Sequence, residues 1–128
     1  KQFMGLMGAT DAVIAELTPG QQELVDRIIE EMNPVSLRSA GVVFDNRATL
    51  PGYRIAAIQA PTLIIHAVDD TLQPYHNAEF AADTIPGARL VRFERGGHLL
   101  MAVEQATIRA AVQKHILDHA SKQLSHNP

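Results

Sequence analysis

The first 54 residues carry apolar side chains mainly at helical spacing. Apolar residues recur at intervals of three and four between positions 24 and 32, with charged residues between them, and this spacing predicts an amphipathic helix with one apolar face. Thr18-Pro19-Gly20-Gln21 precedes that helix and has the residues of a capping box, with proline at the first helical position. Asn33-Pro34 is predicted to end the helix, because proline disfavours helical backbone in the residue before it. The flanking predictions are a short helix that Thr10 or Asp11 caps and that runs to about Leu17, a helix from Ser36 towards Phe44, and a loop over residues 45–53.

Beyond Ile55 the pattern becomes that of a parallel sheet. Residues 61–68 form a nearly continuous apolar run rich in branched side chains, which is typical of a strand covered on both faces. A helix from about Tyr75 to Thr84 and a strand over residues 89–93 follow, and strand, helix and strand within about 30 residues indicate a βαβ unit. Two strands do not make a stable sheet alone, so the sheet is expected to be incomplete. The last predicted element is a helix from about Ala102 to Ala120, with an inner stripe of Val103, Ala106, Ala110 and Leu117.

Composition excludes several classes of function. The 128 residues are 46% apolar, which suits one globular unit, and they contain no cysteine for disulfides or a thiolate zinc site. With a net charge of -3 and interleaved charges, the chain has no basic stripe, so nucleic acid is not an expected partner. Its apolar runs are far shorter than the roughly 20 residues that cross a bilayer, so no membrane partner is expected. No phosphate-binding glycine motif is present, and we expect no cofactor. We expect a cytoplasmic location, although the abrupt start at Lys1 leaves room for a lost targeting segment upstream.

Two ionisable features follow the two predicted strands. Asp69-Asp70 comes directly after the first strand, and His98 follows the second after Gly96-Gly97. The carboxyl ends of parallel strands about 5 Å apart meet at one edge of a sheet, so a carboxylate there can reach an imidazole. An acid that fixes the tautomer of a histidine makes up two-thirds of a nucleophilic triad. The competing interpretation is a loop-capping aspartate and an unrelated surface histidine.

The second half of the chain resembles the last third of the α/β-hydrolase family. Residues 60–74, Ala-Pro-Thr-Leu-Ile-Ile-His-Ala-Val-Asp-Asp-Thr-Leu-Gln-Pro, resemble that family's acid-bearing strand and loop. Ile85-Pro86-Gly87-Ala88, followed by Gly96-Gly97-His98, resembles the approach to its catalytic histidine. The chain order also fits, because the acid precedes the histidine and the serine is expected earlier.

The resemblance also implies how the chain is organised. The stretch from Leu17 to about Pro51 is similar to the helical cap that some family members insert before the acid strand. The resemblance therefore implies a helical cap or lid over residues 1–54 and the C-terminal part of the hydrolase core over residues 55–128. The expected fold class is α/β, as a partial α/β-hydrolase fold in which the cap segment is followed by a βαβ unit and a C-terminal helix.

The resemblance assigns roles to four residues near the strand ends. Its pattern Gly-x-x-Asp, with proline four residues beyond the acid, matches Asp70 and Pro74, although Ala67 stands where the family usually has glycine. Neighbouring residues leaving a strand point in opposite directions, so only one aspartate should face the histidine, and Asp69 is the alternative acid. The resemblance implies that Asp70 and His98 are catalytic. It also implies, by analogy with residues that follow the family's histidine, that Leu99 and Leu100 line the substrate pocket.

The nucleophile of the family is missing from the chain. The family's serine lies in Gly-x-Ser-x-Gly, and no serine here has both glycines; Ser39 comes nearest, with Gly41 after it but Leu37 before it. The resemblance therefore implies a serine-type hydrolase of ester, amide or carbon–carbon bonds in a small-molecule substrate. This chain would supply its acid and histidine and would be inactive alone.

Two further interpretations remain open. The chain is alternatively a non-catalytic α/β module that forms homo-oligomers through its sheet edge or the apolar face of its cap helix, or a shortened pseudo-hydrolase. His115 and His119, four residues apart on a helix, could share a metal, but histidines near a helix C-terminus also suit the helix dipole.

Overall fold

Helices fill the first half of the chain and a βαβ unit lies in the second. The structure, a computed structural model, describes residues 10–32, 35–49 and 52–124. The first half contains α1 (Asp11–Ala15), α2 (Pro19–Met32), a 3₁₀ helix (Val35–Arg38), α3 (Ser39–Arg47) and a second 3₁₀ helix (Gly52–Ala57). The second half contains β1 (Leu63–Ala67), α4 (Tyr75–Thr84), β2 (Arg89–Phe93), a third 3₁₀ helix (Gly97–Leu99), α5 (Leu100–Val103) and α6 (Gln105–Leu124).

The two strands pair in parallel and α4 crosses between them. The register runs from Leu63 opposite Arg89 to Ala67 opposite Phe93, and α4 contacts both strands. Both strands and the intervening helix were predicted from the sequence, and the expected α/β fold class is confirmed. β1 is shorter than the predicted run of residues 61–68 because Pro61 has no N–H for a sheet ladder.

Hydrogen bonds at the helix starts confirm the predicted caps. The Thr10 hydroxyl accepts a hydrogen bond from the N–H of Val13 at 3.3 Å. In the capping box, the Thr18 N–H donates to Oε1 of Gln21 at 2.8 Å, and the Gln21 N–H donates to Oγ1 of Thr18 at 3.4 Å. These bonds satisfy N–H groups that have no partner within a helix. The predicted stop at Asn33-Pro34 lies outside the described residues.

The predicted helix from Ser36 towards Phe44 and the predicted loop over 45–53 were wrong in their bounds. A 3₁₀ helix occupies residues 35–38, and α3 begins only at Ser39 and continues to Arg47. The Ser39 hydroxyl donates to the carbonyl of Ser36 at 2.9 Å, which stabilises the tighter first turn. Arg47 extends the helix favourably because a cation near the C-terminus complements the helix dipole.

The predicted single helix over 102–120 is divided, and its predicted inner stripe was wrong. Helical structure begins at Leu100 and is interrupted at Glu104, whose backbone has φ -113° and ψ 32°. This break changes the rotational phase of α6, so a period continued from Val103 points to the wrong face. Ala106 and Ala110 are exposed and Leu117 is 61% exposed, whereas Ile108 is 4% exposed.

Two hydrophobic clusters position the loop that follows β2. Leu99 packs with Val25 of α2 and Ala102 in one cluster. Leu100 packs with Ala67 and Ile108 in the other. Two consecutive leucines thus anchor the chain directly after His98 to both halves of the molecule. None of the described helices is both long and apolar enough to cross a membrane.

Candidate active site

Asp70 is oriented by its own loop at the end of β1. Its side chain is 5% exposed, and its Oδ1 accepts hydrogen bonds from the N–H groups of Leu72 at 2.8 Å and Gln73 at 2.9 Å. This is the local turn in which an aspartate side chain caps the backbone that follows it. The second oxygen, Oδ2, is left to face the loop after β2.

His98 meets that second oxygen. Its Nδ1 lies 2.9 Å from Oδ2 of Asp70, and its side chain is 35% exposed. Because an ionised carboxylate only accepts hydrogen bonds, Nδ1 carries the proton and Nε2 keeps its lone pair. The arrangement therefore holds the imidazole in the tautomer that a general base needs.

The same contacts decide the charge of Asp70. Burial is the largest influence and by itself would raise the pKa of Asp70. The hydrogen bonds from Gln73, His98 and Leu72 together outweigh burial and hold the pKa below its ordinary value, because they stabilise the ionised form. The carboxylate is therefore charged at neutral pH and stabilises a positive imidazole.

Asp69 points away from His98, towards the backbone of the histidine loop. Its Oδ1 accepts from the N–H of Gly97 at 2.8 Å and its Oδ2 from the N–H of Gly96 at 3.3 Å. The two neighbouring aspartates diverge, as alternation along an extended chain predicts. Of the two candidate acids, the structure brings Asp70 to the imidazole. The catalytic roles of Asp70 and His98 stay predictions.

Gly96 allows the tight turn between β2 and His98. Its φ is +133°, and a Cβ at this position would lie 2.6 Å from Cδ1 and 3.3 Å from Cα of Leu100. Leu100 is buried in a core cluster, so its backbone and side chain have little room to shift.

Gly96→Ala is expected to lower the free energy of unfolding of this chain by about 2–4 kcal/mol, the sum of a strained backbone and an overpacked contact. Urea denaturation followed by circular dichroism measures the change. Gly41→Ala is the matched control, because Gly41 lies within α3 with nothing within 4 Å of its Cβ position; it should stabilise by about 0.5–1 kcal/mol. Equal urea midpoints for Gly96→Ala and the native chain would refute the expectation.

A cavity of about 500 Å³ lies beside the pair, between β1 and α4. Leu100 lines it together with Asp70 and His98, and its expected role in the substrate pocket stays a prediction. Leu99, the other expected pocket residue, is instead buried in the cluster with Val25 and Ala102. The cavity wall also carries the amide side chains of Gln73 and Asn77, which sequence reasoning missed. Gln73 lies in the loop before α4 and Asn77 lies in its first turn, so helical periodicity gave no signal for this pair.

The other histidines make local contacts. His66 lines the same cavity, with Nδ1 2.8 Å from the carbonyl oxygen of Ala67. Nε2 of His115 lies 3.2 Å from the carbonyl oxygen of Pro61, and Nδ1 of His119 lies 2.7 Å from that of His115. Within the described residues, no group of three or more histidine, aspartate or glutamate side chains could hold a metal ion.

Two surfaces are open in the described part of the chain, one edge of the sheet at β1 and a groove between two helices. β1 has a neighbouring strand on one edge only among the described residues. A second cavity, of about 560 Å³, forms an apolar groove between α2 and α6. Its wall includes Ile116 and Leu117, both more than half exposed.

Comparison with known proteins gives several matches. The sequence profile of the TAP-like protein family matches residues 40–123. Over 92 residues the chain is 33% identical to a protein of Stutzerimonas stutzeri named as a carbamate hydrolase, RutD. A protein of the same name from Pseudomonas savastanoi is 46% identical over 55 residues, and the rhodomycin D methylesterase DauP of a Streptomyces species is 39% identical over 64 residues.

These matches cover more of this chain than of the relatives. They span 72%, 43% and 50% of the chain, but only 31%, 19% and 22% of the three proteins. A solved structure described as Est816, an N-acyl homoserine lactone degrading enzyme, superposes with a TM-score of 0.61. The superposition covers 88% of this chain and 45% of that one at 23% identity, which supports the shared fold alone.

Proposed function

Because the chain belongs to the TAP-like family of α/β-hydrolases, we propose that it forms the C-terminal part of a serine-type hydrolase. The observation that carries the proposal is the 2.9 Å contact between Nδ1 of His98 and Oδ2 of Asp70. In the complete enzyme, Nε2 of His98 takes the proton of a serine hydroxyl while the serine oxygen attacks the substrate carbonyl carbon. His98 then gives that proton to the leaving group. In the second half it takes a proton from the water that attacks the acyl carbon, and it returns this proton to the serine oxygen as the acyl–serine bond breaks. Asp70 holds the imidazole in place throughout and stabilises its charged form.

The nucleophile in this proposal lies outside residues 1–128. None of the serines of the chain has glycines on both sides in the family's pattern, so the chain alone is expected to be inactive. Support comes from the relatives, of which the chain spans less than a third, and from the uncovered edge of β1. A parallel strand is normally paired on both edges and covered on both faces, so further strands beside β1 would complete the sheet.

The proposed substrates are small molecules with an ester, amide or related carbonyl group. Relatives named as a carbamate hydrolase and a methylesterase support hydrolysis of an acyl C–O or C–N bond ahead of a C–C bond. The cavity beside His98 has a mainly apolar wall with a few amide groups, which suits an uncharged organic substrate. A reaction without a cofactor and a cytoplasmic location stay predictions.

The division into a cap and a core is likewise a proposal. We assign residues 1–54 to the cap and 55–128 to the core. Two contacts support a cap that reaches the active-site loop: the Gln21 side chain donates to the carbonyl of Val103 at 2.7 Å, and Val25 packs on Leu99, the residue after His98. A cap in this place would form one wall of the substrate pocket.

A serine-reactive fluorophosphonate tests the proposed reaction class. In the longer polypeptide that contains this segment, we expect one labelled serine, identified by peptide mass spectrometry, and we expect it outside residues 1–128. The 128-residue chain alone should stay unlabelled, as should the denatured longer protein, because only the folded triad activates the serine. A folded longer protein that takes no label, or that is labelled at a serine within residues 1–128, would overturn the proposal.

The apolar groove favours a second candidate, a non-catalytic module that associates with itself. Exposed apolar side chains on α6 are typical of a surface that another molecule covers. Light scattering, together with the fluorophosphonate experiment, distinguishes the two functions when it is applied to both lengths of polypeptide. The module hypothesis requires an oligomer at both lengths and no labelled serine, whereas the hydrolase proposal requires a labelled serine in the longer polypeptide, whatever its oligomeric state.

A further inference from the structure

We propose that Asp69 is a positioning residue that fixes the backbone of the His98 loop, a role whose catalytic consequence depends on the hydrolase function proposed above. Asp69 follows β1, and Gly96 and Gly97 follow β2. The two strands are in register, with Ala67 opposite Phe93, so both loops leave the same edge of the sheet. One carboxylate therefore bridges two loops that are 27 and 28 residues apart in sequence.

The donor geometry on the glycine side is that of an anion-binding nest. The N–H groups of Gly96 and Gly97 are consecutive, and both donate to the Asp69 carboxylate, at 3.3 Å and 2.8 Å. Their φ angles are +133° and +53°, values that only glycine adopts readily. Successive N–H groups that converge in such a turn bind an anion, and hydrogen bonds to a carboxylate are stronger than neutral ones. The side chain of Asp69 supplies that anion from within the chain.

The turn needs such a contact because glycine has the largest backbone freedom to lose on folding. After His98 the chain is fixed by the buried side chains of Leu99 and Leu100. Before it, the nearest side-chain contact is the ion pair between Arg95 and Glu16, in which both groups are more than half exposed, and exposed pairs contribute little. Asp69 therefore supplies the hydrogen bonds that hold the glycine side of the loop, where no side chain of the loop itself is buried.

The two adjacent aspartates then divide the positioning of one imidazole. Asp70 holds the ring through Nδ1, and Asp69 holds the backbone from which the ring projects. Neither contact replaces the other, because a ring held at one atom can still pivot with its backbone. A displacement of about 1 Å at a catalytic group costs as much as 100-fold in rate.

Asp69→Asn tests the proposal in the 128-residue chain by NMR. The substituted amide has one acceptor oxygen, and its NH₂ group meets an N–H donor of the nest, so one of the two bonds is lost. We expect the amide protons of Gly96 and Gly97 to exchange with solvent at least about tenfold faster. We also expect the ¹⁵N shifts of His98 to move from the Nδ1–H tautomer towards an average of both tautomers. Asp83→Asn is the matched control, because Asp83 is exposed on α4, and it should change neither readout.

A measurement on the native chain covers the case in which the variant does not fold. A scalar coupling across the hydrogen bond, between the Gly97 amide nitrogen and the Asp69 carboxyl carbon, should be detectable; its absence would overturn the proposal. A folded Asp69→Asn chain in which the Gly96 and Gly97 amides exchange at the native rate and the His98 ¹⁵N shifts are native would also overturn the proposal.

In the complete enzyme, Asp69→Asn should lower kcat by about 10- to 100-fold and leave KM nearly unchanged, because only the geometry of the base is altered. The two proposals fail separately. A native enzyme without hydrolytic activity refutes the hydrolase function while the NMR result on Asp69 stands. An active enzyme whose Asp69→Asn variant retains native kcat refutes the positioning role.

Discussion

His98→Ala is expected to lower kcat of the complete hydrolase by about 10⁴- to 10⁶-fold. The imidazole is the group that takes the serine proton in the proposed reaction, and alanine leaves no base in its place. Asp70 does not substitute for it: the side chain is 5% exposed, and Oδ1 already accepts from Leu72 and Gln73. A loss of this size corresponds to about 5–8 kcal/mol of activation free energy.

The measurement is steady-state hydrolysis of an activated ester by the complete enzyme. His76→Ala is the control, because His76 is an exposed histidine on α4 and its removal should change kcat less than twofold. Circular dichroism must show that both variants stay folded. An His98→Ala enzyme that keeps more than a tenth of native kcat would exclude His98 as the general base.

The predictions from sequence succeeded where the information is local. The capping box at Thr18 and Gln21 depends on residues three positions apart, and the structure confirms both of its hydrogen bonds. The approach of Asp70 to His98 is not local in sequence, but it follows from two parallel strands that end at one edge. The resemblance to the hydrolase family then selected Asp70 over Asp69, and the contact distances agree with that choice.

The predictions from sequence failed where the backbone conformation of one residue changes the direction in which all the following side chains point. The non-helical residue Glu104 rotates α6 relative to α5, and an apolar period carried across that break assigned the wrong face to the core. The 3₁₀ helix at Gly97–Leu99 similarly decides that Leu99 turns towards α2 while Leu100 turns towards β1. The spacing of apolar residues predicts neither of these two backbone conformations, because the same residues can face the core at more than one rotation of the helix.

The role of Asp69 was missed for a different reason. A carboxylate after a strand is most simply interpreted as a cap for its own turn. The hydrogen-bond donors to Asp69 are instead backbone N–H groups of a loop 27 and 28 residues away. Backbone N–H groups have no signature in the sequence. The one available signal was the pair Gly96-Gly97, since consecutive glycines permit the positive φ angles of an anion-binding turn.

Asp70→Asn is expected to lower kcat of the complete enzyme by about 10⁴-fold while the substrate still binds. The asparagine oxygen can keep the bonds from Leu72 and Gln73, and its NH₂ group then faces Nδ1 of His98. A donor at that place makes Nδ1 the acceptor and moves the imidazole proton to Nε2. A protonated Nε2 takes no proton from serine, so the base is lost although every residue stays in place.

The same substitution has a second effect, which the 128-residue chain shows without activity. The pKa of Asp70 is lowered in the folded chain, so its ionised form stabilises the fold above the ordinary aspartate pKa of about 3.9. That contribution is lost as pH falls through the lowered pKa, because the folded carboxylate must then bind a proton. Melting temperatures of native and Asp70→Asn chains should therefore differ most at neutral pH and converge as pH falls below the lowered pKa of Asp70.

A melting-temperature difference that stays constant from pH 7 to about pH 2.5 would mean that the Asp70 carboxylate is not stabilised by its three hydrogen bonds. Asp83→Asn is the control for the general effect of removing a carboxylate, since Asp83 is exposed on α4. The two measurements on Asp70→Asn, kcat and melting temperature, test different sets of hydrogen bonds of the Asp70 side chain. The loss of kcat tests the bond from Oδ2 to His98, and the pH dependence of melting tests Oδ2 together with the backbone bonds to Oδ1. A variant that loses activity but keeps the native pH dependence would assign the lowered pKa to a group other than Asp70.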